Sequence, residues 1–477
     1  MTSAEQREER QEEVDHLRAQ LPDYPMRWLY LIMAVGAIDY ADRAVLAVVF
    51  DDVKAAFDIS DSALGSLVAA YTVVATLSVI PCGIIADRWR RTWLIALGFL
   101  PWSVAMIWQG AATSFAMMFV ARLFLGSIEA TNGPSSLSLV GDYYPVPRRS
   151  RVLGIWRLFE QLGTFVGFAV AGVIATAFGW RTPFFVFGAL GFLCGAVVWR
   201  YLPEPQRGLP DSLYQAEQRL ARVEFAGAAT PVPEPERTSA AVTATNWSTA
   251  GLRQALGYVA RTRTAWIMAV AAGLVAFVVA GLGAWVASFL RRYHDLSAAG
   301  AGGVTLLFGV GSIAGLLVGS RLGDRLLERG RPNDRIRLAA GASVLGWLFA
   351  IPGFGLDATW IAVPLLVVGG FFISLPIGPT WAMWLDIIVP QLRGRADALF
   401  TIVRVLMIAS APWLIGVISD ASSLRTAFMV VMPAVALHGL VLLLALPSYQ
   451  RDAERARTEA LRWSQAAAAA PSPPTPS

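Results

Sequence analysis

Apolar positions in this chain come in long unbroken runs, with polar residues gathered into short segments between them. A helix that crosses a membrane needs about 20 mostly apolar residues, and twelve such stretches run roughly over 27–49, 63–86, 93–110, 114–140, 150–178, 183–201, 264–290, 300–322, 336–355, 359–386, 395–419 and 424–447. The pattern predicts an all-α membrane protein with twelve transmembrane helices. A polar segment of about sixty residues, Pro203 to Arg263, follows the sixth stretch and holds the run Pro231-Val232-Pro233-Glu234-Pro235. It divides the helices six and six. The expected organisation is a segment over 1–26, a six-helix bundle over 27–201, a linker over 202–263, a second six-helix bundle over 264–447 and a tail over 448–477. The tail is read as disordered from Gln465, where Ala and Pro dominate. Gly251 to Arg263 sets Leu252, Leu256 and Val259 near one face among Arg253, Arg261 and Arg263. That pattern suits a helix on the membrane surface and equally a solvated one. Met1 to Asp23 is charged and rich in glutamate, with no apolar core. It reads as neither a signal nor a transit peptide, which makes the first span an uncleaved anchor.

Composition agrees and narrows the chemistry. Across 477 residues, 56% are hydrophobic and 15% charged, with a mean hydropathy of +0.53, which is no soluble surface. His16, His294 and His438, with Cys82 and Cys194, stand too far apart to suggest a metal site or a disulfide framework. No cofactor is expected. Lys54 is the only lysine and has no glycine ladder before it, so a Walker-A phosphate loop is excluded. None of the histidines joins a polar intramembrane group, so an enzyme is not expected. A net charge of +5 fits membrane topology better than nucleic acid, because the arginines sit in short clusters between apolar runs.

Those clusters also orient the chain. Even-numbered connections carry Arg88, Arg90 and Arg91, then Arg148, Arg149 and Arg151, six arginines from Arg321 to Arg337, and Arg393 with Arg395. Odd-numbered ones carry only Lys54, Arg181, Arg291, Arg292 and Arg425, and the first is acidic at Asp51, Asp52, Asp58 and Asp61. Both termini are therefore expected in the cytoplasm, with the chain integral to a bacterial inner (plasma) membrane.

The halves echo one another. Arg149-Ser150-Arg151 answers Arg393-Gly394-Arg395 and Arg181 answers Arg425, both at an offset of 244 residues; Asp87-Arg88 answers Asp324-Arg325 at 237. Related bundles of this kind mark a transporter. Gly83-Ile84-Ile85-Ala86-Asp87-Arg88-Trp89-Arg90-Arg91 resembles the signature between helices two and three of the major facilitator superfamily, with Arg90 where that family usually has glycine. The alternative is a plain basic turn with a capping aspartate.

Within that superfamily the chain resembles the spinster branch. The resemblance rests on Tyr40-Ala41-Asp42-Arg43, Ile59-Ser60-Asp61-Ser62 with Gly65, Arg122 to Ala130, Leu202 to Gly208, and Ile415-Gly416-Val417-Ile418-Ser419-Asp420. It implies the major facilitator fold and a proton-coupled secondary transporter of an amphipathic anionic lipid such as a lysophospholipid, working as a monomer. Organic-anion symporters share the Asp-Arg of helix one and the Arg and Glu of helix four, so a small organic anion (a sugar acid or carboxylate) or a drug is the alternative cargo. The gating motifs expected on the cytoplasmic side are Gly83, Asp87, Arg88, Arg91, Asp142, Arg149 and Arg151, with Asp324, Arg325, Arg393 and Arg395 in the second half.

Charges inside spans are the most informative residues, because each is costly unless it faces a cavity or a partner. Asp39, Asp42 and Arg43 lie in helix one, Arg122 and Glu129 in helix four, Arg157 and Glu160 in helix five and Arg404 in helix eleven. At about 1.5 Å per residue, Asp39 and Asp42 sit roughly half to two-thirds of the way across from the cytoplasm. These eight form the expected substrate and proton pathway. Asp42 and Glu129 are candidates for proton exchange, since a carboxylate that loses its counter-charge takes up a proton. Arg122 and Arg404 are candidates for holding an anion. Each has a structural alternative: Arg43 and Arg122 as partners of Asp42 and Glu129, and Arg157 with Glu160 as a self-contained pair.

Trp28, Trp93, Trp102, Trp108, Trp199, Trp360 and Trp463 fall near span ends and read as interface anchors; Trp156, Trp285, Trp381 and Trp384 lie deeper, as packing or as a tail pocket. Gly83, Gly163, Gly167 and Gly172 suggest close helix approach, and Pro134, Pro376 and Pro379 suggest kinks.

The arginine distribution makes one prediction directly. Protease added to sealed right-side-out vesicles spares the 202–263 segment, and cleavage there reverses the orientation.

Overall fold

The computed structural model describes residues 3–20, 26–228 and 252–469. The Pro-rich run at 231–235 and the side chains of Asp87, Arg395 and Trp463 lie outside the described residues. The first half comprises α1 (Ser3–Gln20), α2 (Met26–Val48), α3 (Phe50–Phe57), α4 (Asp61–Arg88), α5 (Arg91–Gly110), α6 (Phe115–Glu129), α7 (Asn132–Tyr143), α8 (Val146–Phe178), α9 (Thr182–Tyr201) and α10 (Leu209–Ala228). The second comprises α11 (Leu252–Arg261), α12 (Arg263–His294), α13 (Ala298–Glu328), α14 (Pro332–Gly355), α15 (Thr359–Ser374), α16 (Ile377–Asp386), α17 (Arg393–Ala421), α18 (Leu424–Val431), α19 (Pro433–Leu443) and α20 (Tyr449–Ala469).

Among the described residues, ten segments are long and apolar enough to cross a membrane. The remaining two spans depart from that standard for visible reasons. α2 carries Asp39, Asp42 and Arg43, and the fourth span is split into α6 and α7. With these, six spans stand in each half. Three spans are interrupted where proline removes a backbone donor. α7 has Pro134 in its first turn, Pro376 caps α16, and α19 opens on Pro433.

By proximity the described chain forms two compact units. One holds the chain up to Asp42, Val74–Gly167, and Arg181 onward through α10. The other holds Arg43–Val73, Phe168–Trp180 and the second half from α11.

Within the first unit, α2 and α8 approach to backbone contact. A Cβ on Gly163 would collide with the Ala37 carbonyl, and one on Gly167 would lie 2.9 Å from Ala41. In the second unit, one on Gly172 would meet the Ala298 carbonyl. The close approach expected from these three glycines is present. Gly83 is a correction, because a Cβ there meets nothing within 4 Å. That stretch of α4 exposes Ile84 and Ile85.

Other expectations also change. Trp102 is no interface anchor: it is 2% exposed, with Phe99 edge-on at 5.5 Å and its ring in the space that Gly191 of α9 leaves open. Trp156, Trp285 and Trp384 are buried as packing, while Trp381 stays partly exposed. α11 docks on protein, burying Tyr258 and Val259 beside Met268, Ile387 and Tyr449. The tail remains helical to Ala469, past Gln465, as an alanine run permits. The charged N-terminal segment forms α1, whose Val14 and Leu17 pack on Leu213, Ala216 and Leu220 of α10. Arg18–Glu217 at 2.8 Å flanks that contact.

Gly163→Leu should destabilise the protein by about 1–3 kcal/mol or more, the cost of overpacking a filled site. Gly83→Leu should be nearly neutral. Thermal unfolding of the two variants in one detergent checks this, and equal melting temperatures would contradict the α2–α8 contact.

Candidate functional site

In the first unit the charges of α2 and α6 meet. Arg122 Nη1 donates to Asp42 Oδ2 at 3.1 Å, with side chains only 3% and 0% exposed. Two buried charges are costly, and removing one partner of such a pair typically costs more than the pair contributes. One turn before Asp42, Asp39 shares its face of α2; two turns after Arg122, Glu129 shares its face of α6. Asp39 and Glu129 line a small, partly open pocket together with Ile95, Phe99, Trp102 and Ile128. The break after α6 brings Thr131 and Asn132 to the same pocket. Two carboxylates, an amide and a hydroxyl therefore share a small space beside a buried ion pair.

The rest of the expected pathway is distributed. Arg157 donates to Glu160 at 2.9 Å within one turn of α8, with Arg157 62% exposed and Glu160 buried. Its guanidinium also lies over Trp156, 4.9 Å from the ring centre. Arg404 and Arg43 belong to the second unit. Arg404 lies over Trp381 at 5.2 Å and donates to Thr401 Oγ1 at 3.3 Å, while Arg43 is exposed.

A second cluster sits at the turn between α4 and α5. Arg91 is almost fully buried. Its guanidinium donates to Asp142, to Ser138 Oγ and Glu204 Oε1 (both 2.9 Å) and to the Pro205 carbonyl (3.1 Å). Thr92 gives Glu204 Oε2 two more bonds, from its N–H at 2.9 Å and its hydroxyl at 2.8 Å. Gly208 N–H donates to Asp142 at 2.9 Å. Arg207 donates to the carbonyls of Ala86 and Trp89, satisfying the last turn of α4. The Leu202–Gly208 segment thus binds both sides of the basic turn. Burial pushes the Glu204 carboxyl up, but the bonds from Thr92 and Arg91 outweigh it and hold the group below the usual carboxylate range. Arg149 makes a bidentate pair with Asp211 of α10, both bonds at 2.7 Å.

The second half repeats the buried arginine. Arg335 donates to Asp386 at 2.9 Å, and Tyr449 bonds Asp386 at 2.7 Å. Arg335 and Asp386 stand 244 residues after Arg91 and Asp142, the offset already set by Arg149 and Arg393. That offset was the available signal for Arg335 and Asp386, while Glu204 and Arg207 were visible only as motif letters. Arg88, Arg151, Asp324, Arg325 and Arg393 are solvent-exposed, and Arg393 donates to the Leu385 carbonyl at 3.1 Å. The echo of Asp87-Arg88 in Asp324-Arg325 is therefore no packed cluster on the second-half side.

Residues 32–412 match the Major Facilitator Superfamily. The chain is similar to the probable L-galactonate transporter of Escherichia coli (strain K12), 22% identical over 412 residues, covering 84% of this chain and 85% of that one. It is also similar to protein spinster homolog 3 of Mus musculus, 25% identical over 483 residues, covering 91% and 87%. Among solved structures it resembles a bacterial homologue of the human lysosomal transporter spinster in an inward-facing, unoccupied conformation. That likeness has a TM-score of 0.73 at 19% identity and covers 90% of this chain and 99% of that one.

The Glu204 contribution has a definite sign. A carboxyl held low in the folded state stabilises it above the unfolded group's range, and the benefit disappears as pH falls through the folded value. Glu204→Gln should therefore melt earlier than the parent at neutral pH. The gap should close as pH drops below the usual carboxylate range, and a gap independent of pH would contradict the assignment.

Proposed function

Because this chain belongs to the Major Facilitator Superfamily and is a transporter rather than an enzyme, we propose that it moves an amphipathic organic anion by proton-coupled alternating access, with a lysophospholipid as the preferred class. The observation that carries the reading is the buried Arg122–Asp42 pair beside the Asp39–Glu129 pocket. Arg122 is bonded to the Asp42 carboxylate. An anionic head group competes for the guanidinium, because paired N–H donors suit phosphate and carboxylate alike. Asp42 then loses its counter-charge and takes up a proton. Glu129, sharing a small pocket with Asp39, supplies a second exchange position, since two carboxylates so confined do not readily both ionise. Cargo and proton occupancy are linked through one arginine.

In this reading two six-helix bundles, over 27–201 and 264–447, rock about the site, and the 202–263 linker and both termini are cytoplasmic. Arg404, set on Trp381, offers a second cationic position for the head group. The lipid class is what the resemblance to the spinster branch implies, and the similarity to spinster homologues supports that branch. A sugar acid is the second reading, favoured by the similarity to the probable L-galactonate transporter. Both cargoes are anions and place the same demand on Arg122.

Arg122→Lys keeps the charge and loses the bidentate fork, so binding of lysophosphatidylglycerol by the purified protein should weaken by roughly tenfold. A zwitterionic lysolipid should lose much less. Arg122→Ala leaves Asp42 buried without this partner, so it should melt earlier and fail to bind. An Arg122→Lys protein that binds the anionic lipid normally would make this arginine structural. Separately, Glu129→Gln and Asp42→Asn should blunt uptake driven by a pH gradient while sparing cargo exchange across liposomes. Full gradient response in both variants would place the proton elsewhere.

A further inference from the structure

Trp102 of α5 carries a buried donor. Its ring is 2% exposed, and among the described residues no group accepts from its Nε1–H. A buried indole N–H normally has a partner, since leaving it bare forfeits the bond it makes with water before folding. Packing fixes where this one points. A Cβ on Gly191 of α9 would lie 2.4 Å from Cζ3 and 2.6 Å from Cε3 of the ring, so that edge faces α9. Nε1 is attached across the six-membered ring from Cζ3, which directs the N–H away from α9. The pocket that Trp102 lines draws its residues from α2, α5, α6 and the break after α6, with none from α9. The N–H is turned to that side.

The pocket has room for about one water. Its polar lining divides into acceptors and donors. Thr131 Oγ1 donates to the Ile128 carbonyl at 2.8 Å, which leaves the oxygen's lone pairs to accept. Asn132 Oδ1 accepts from Ser136 Oγ at 3.0 Å, which leaves its amide hydrogens to donate. The charges that line it are Asp39 of α2 and Glu129 of α6, with the Arg122–Asp42 pair a turn or two away. Along α5 no charge follows Arg91, and along α7 none precedes Asp142. On α8, Glu160 is bonded to Arg157 and lies against α2 one turn before Asp39, where a Cβ on Gly36 would be 3.6 Å from it.

We propose that Trp102 is a positioning residue for proton exchange: its N–H holds one water in the pocket between Asp39 and Glu129. The assignment rests on the proton-coupled reading of these two acids. An indole donates and never accepts, so a bound water must turn a lone pair to the ring and its hydrogens to the acceptors. Thr131 Oγ1 takes one hydrogen and the ionised acid takes the other. The second lone pair accepts from whichever acid carries the proton. In the exchange that acid gives its proton to the water oxygen while the water gives a hydrogen to the other carboxylate. One O–H bond forms and one breaks at the water, which is unchanged, and one proton has crossed from acid to acid. Trp102 takes no proton itself; it fixes the orientation that lets both transfers occur together.

Two replacements remove the N–H. Benzothienylalanine at position 102 keeps both rings, and Trp102→Phe keeps an aromatic side chain in the same place. The first readout is the infrared difference between acid and neutral pH, taken on the full chain in lipid nanodiscs, in ordinary water and in water of the heavy oxygen isotope. The parent should show a water O–H band that moves with the isotope, and both replacements should lose it. The second readout is uptake driven by a pH gradient in proteoliposomes offered lysophosphatidylglycerol or a sugar acid. Each replacement should slow it by roughly tenfold, the change expected for one lost hydrogen bond. Should Trp102→Phe fold poorly, the benzothienyl protein decides. An isotope-sensitive band that survives in it overturns the water site, and so does a parent without such a band. The spectrum needs neither cargo nor gradient. A parent that ignores the pH gradient therefore overturns the proton-coupled reading and the exchange built on it, whereas a failed water site leaves the cargo assays of Arg122 intact.

Discussion

A charge placed among apolar helices has to be answered by another charge or by polar space, and the first unit is organised around that demand. Asp42 is fully buried, and its partner Arg122 comes from a different helix. α2 must therefore be held at a fixed position, which the glycines of α8 achieve by bringing backbone to backbone at Ala37 and Ala41. The fourth span stops being a helix after Glu129, and that break brings Thr131 and Asn132 beside the acids. Helix approach, helix interruption and charge pairing each serve the same small volume.

Away from that volume the same chemistry stabilises joints. Arg91 with Asp142 and Arg335 with Asp386 tie the start of one helix to the end of another at equivalent places in the two halves. What surrounds each arginine has diverged. Glu204 and the Pro205 carbonyl complete the first, and a tyrosine hydroxyl on α20 completes the second. A duplicated framework has thus kept its central ion pair and changed the segment that seals it.

The twelve spans and the family were legible because they rest on run length and on local motifs. The buried charges of α2 and α6 were legible for an energetic reason: an ionised side chain inside a span is expensive, so its presence is informative. Their pairing was not: the bond from Arg122 to Asp42 is visible only in the geometry. Arg157 is mostly exposed and bonded to Glu160 within its own turn, an exposure that its place in the span does not reveal. Glu204 lay in a polar linker where charge carries no penalty and hence no signal. α1 and α10 were missed because each has a thin apolar stripe that gains burial only against the other. Trp102 was misplaced because proximity to a span end says nothing of which face a tryptophan takes.

The central claim is that cargo and proton meet through Arg122. The most direct measurement is proton movement in proteoliposomes loaded with a pH-sensitive dye, with no imposed gradient, after adding lysophosphatidylglycerol or a sugar acid on one side. An anionic cargo should drive a pH change inside the vesicles that a zwitterionic lysolipid does not, and Arg122→Lys should abolish it. Cargo entry at normal rate with no accompanying pH change would contradict the account.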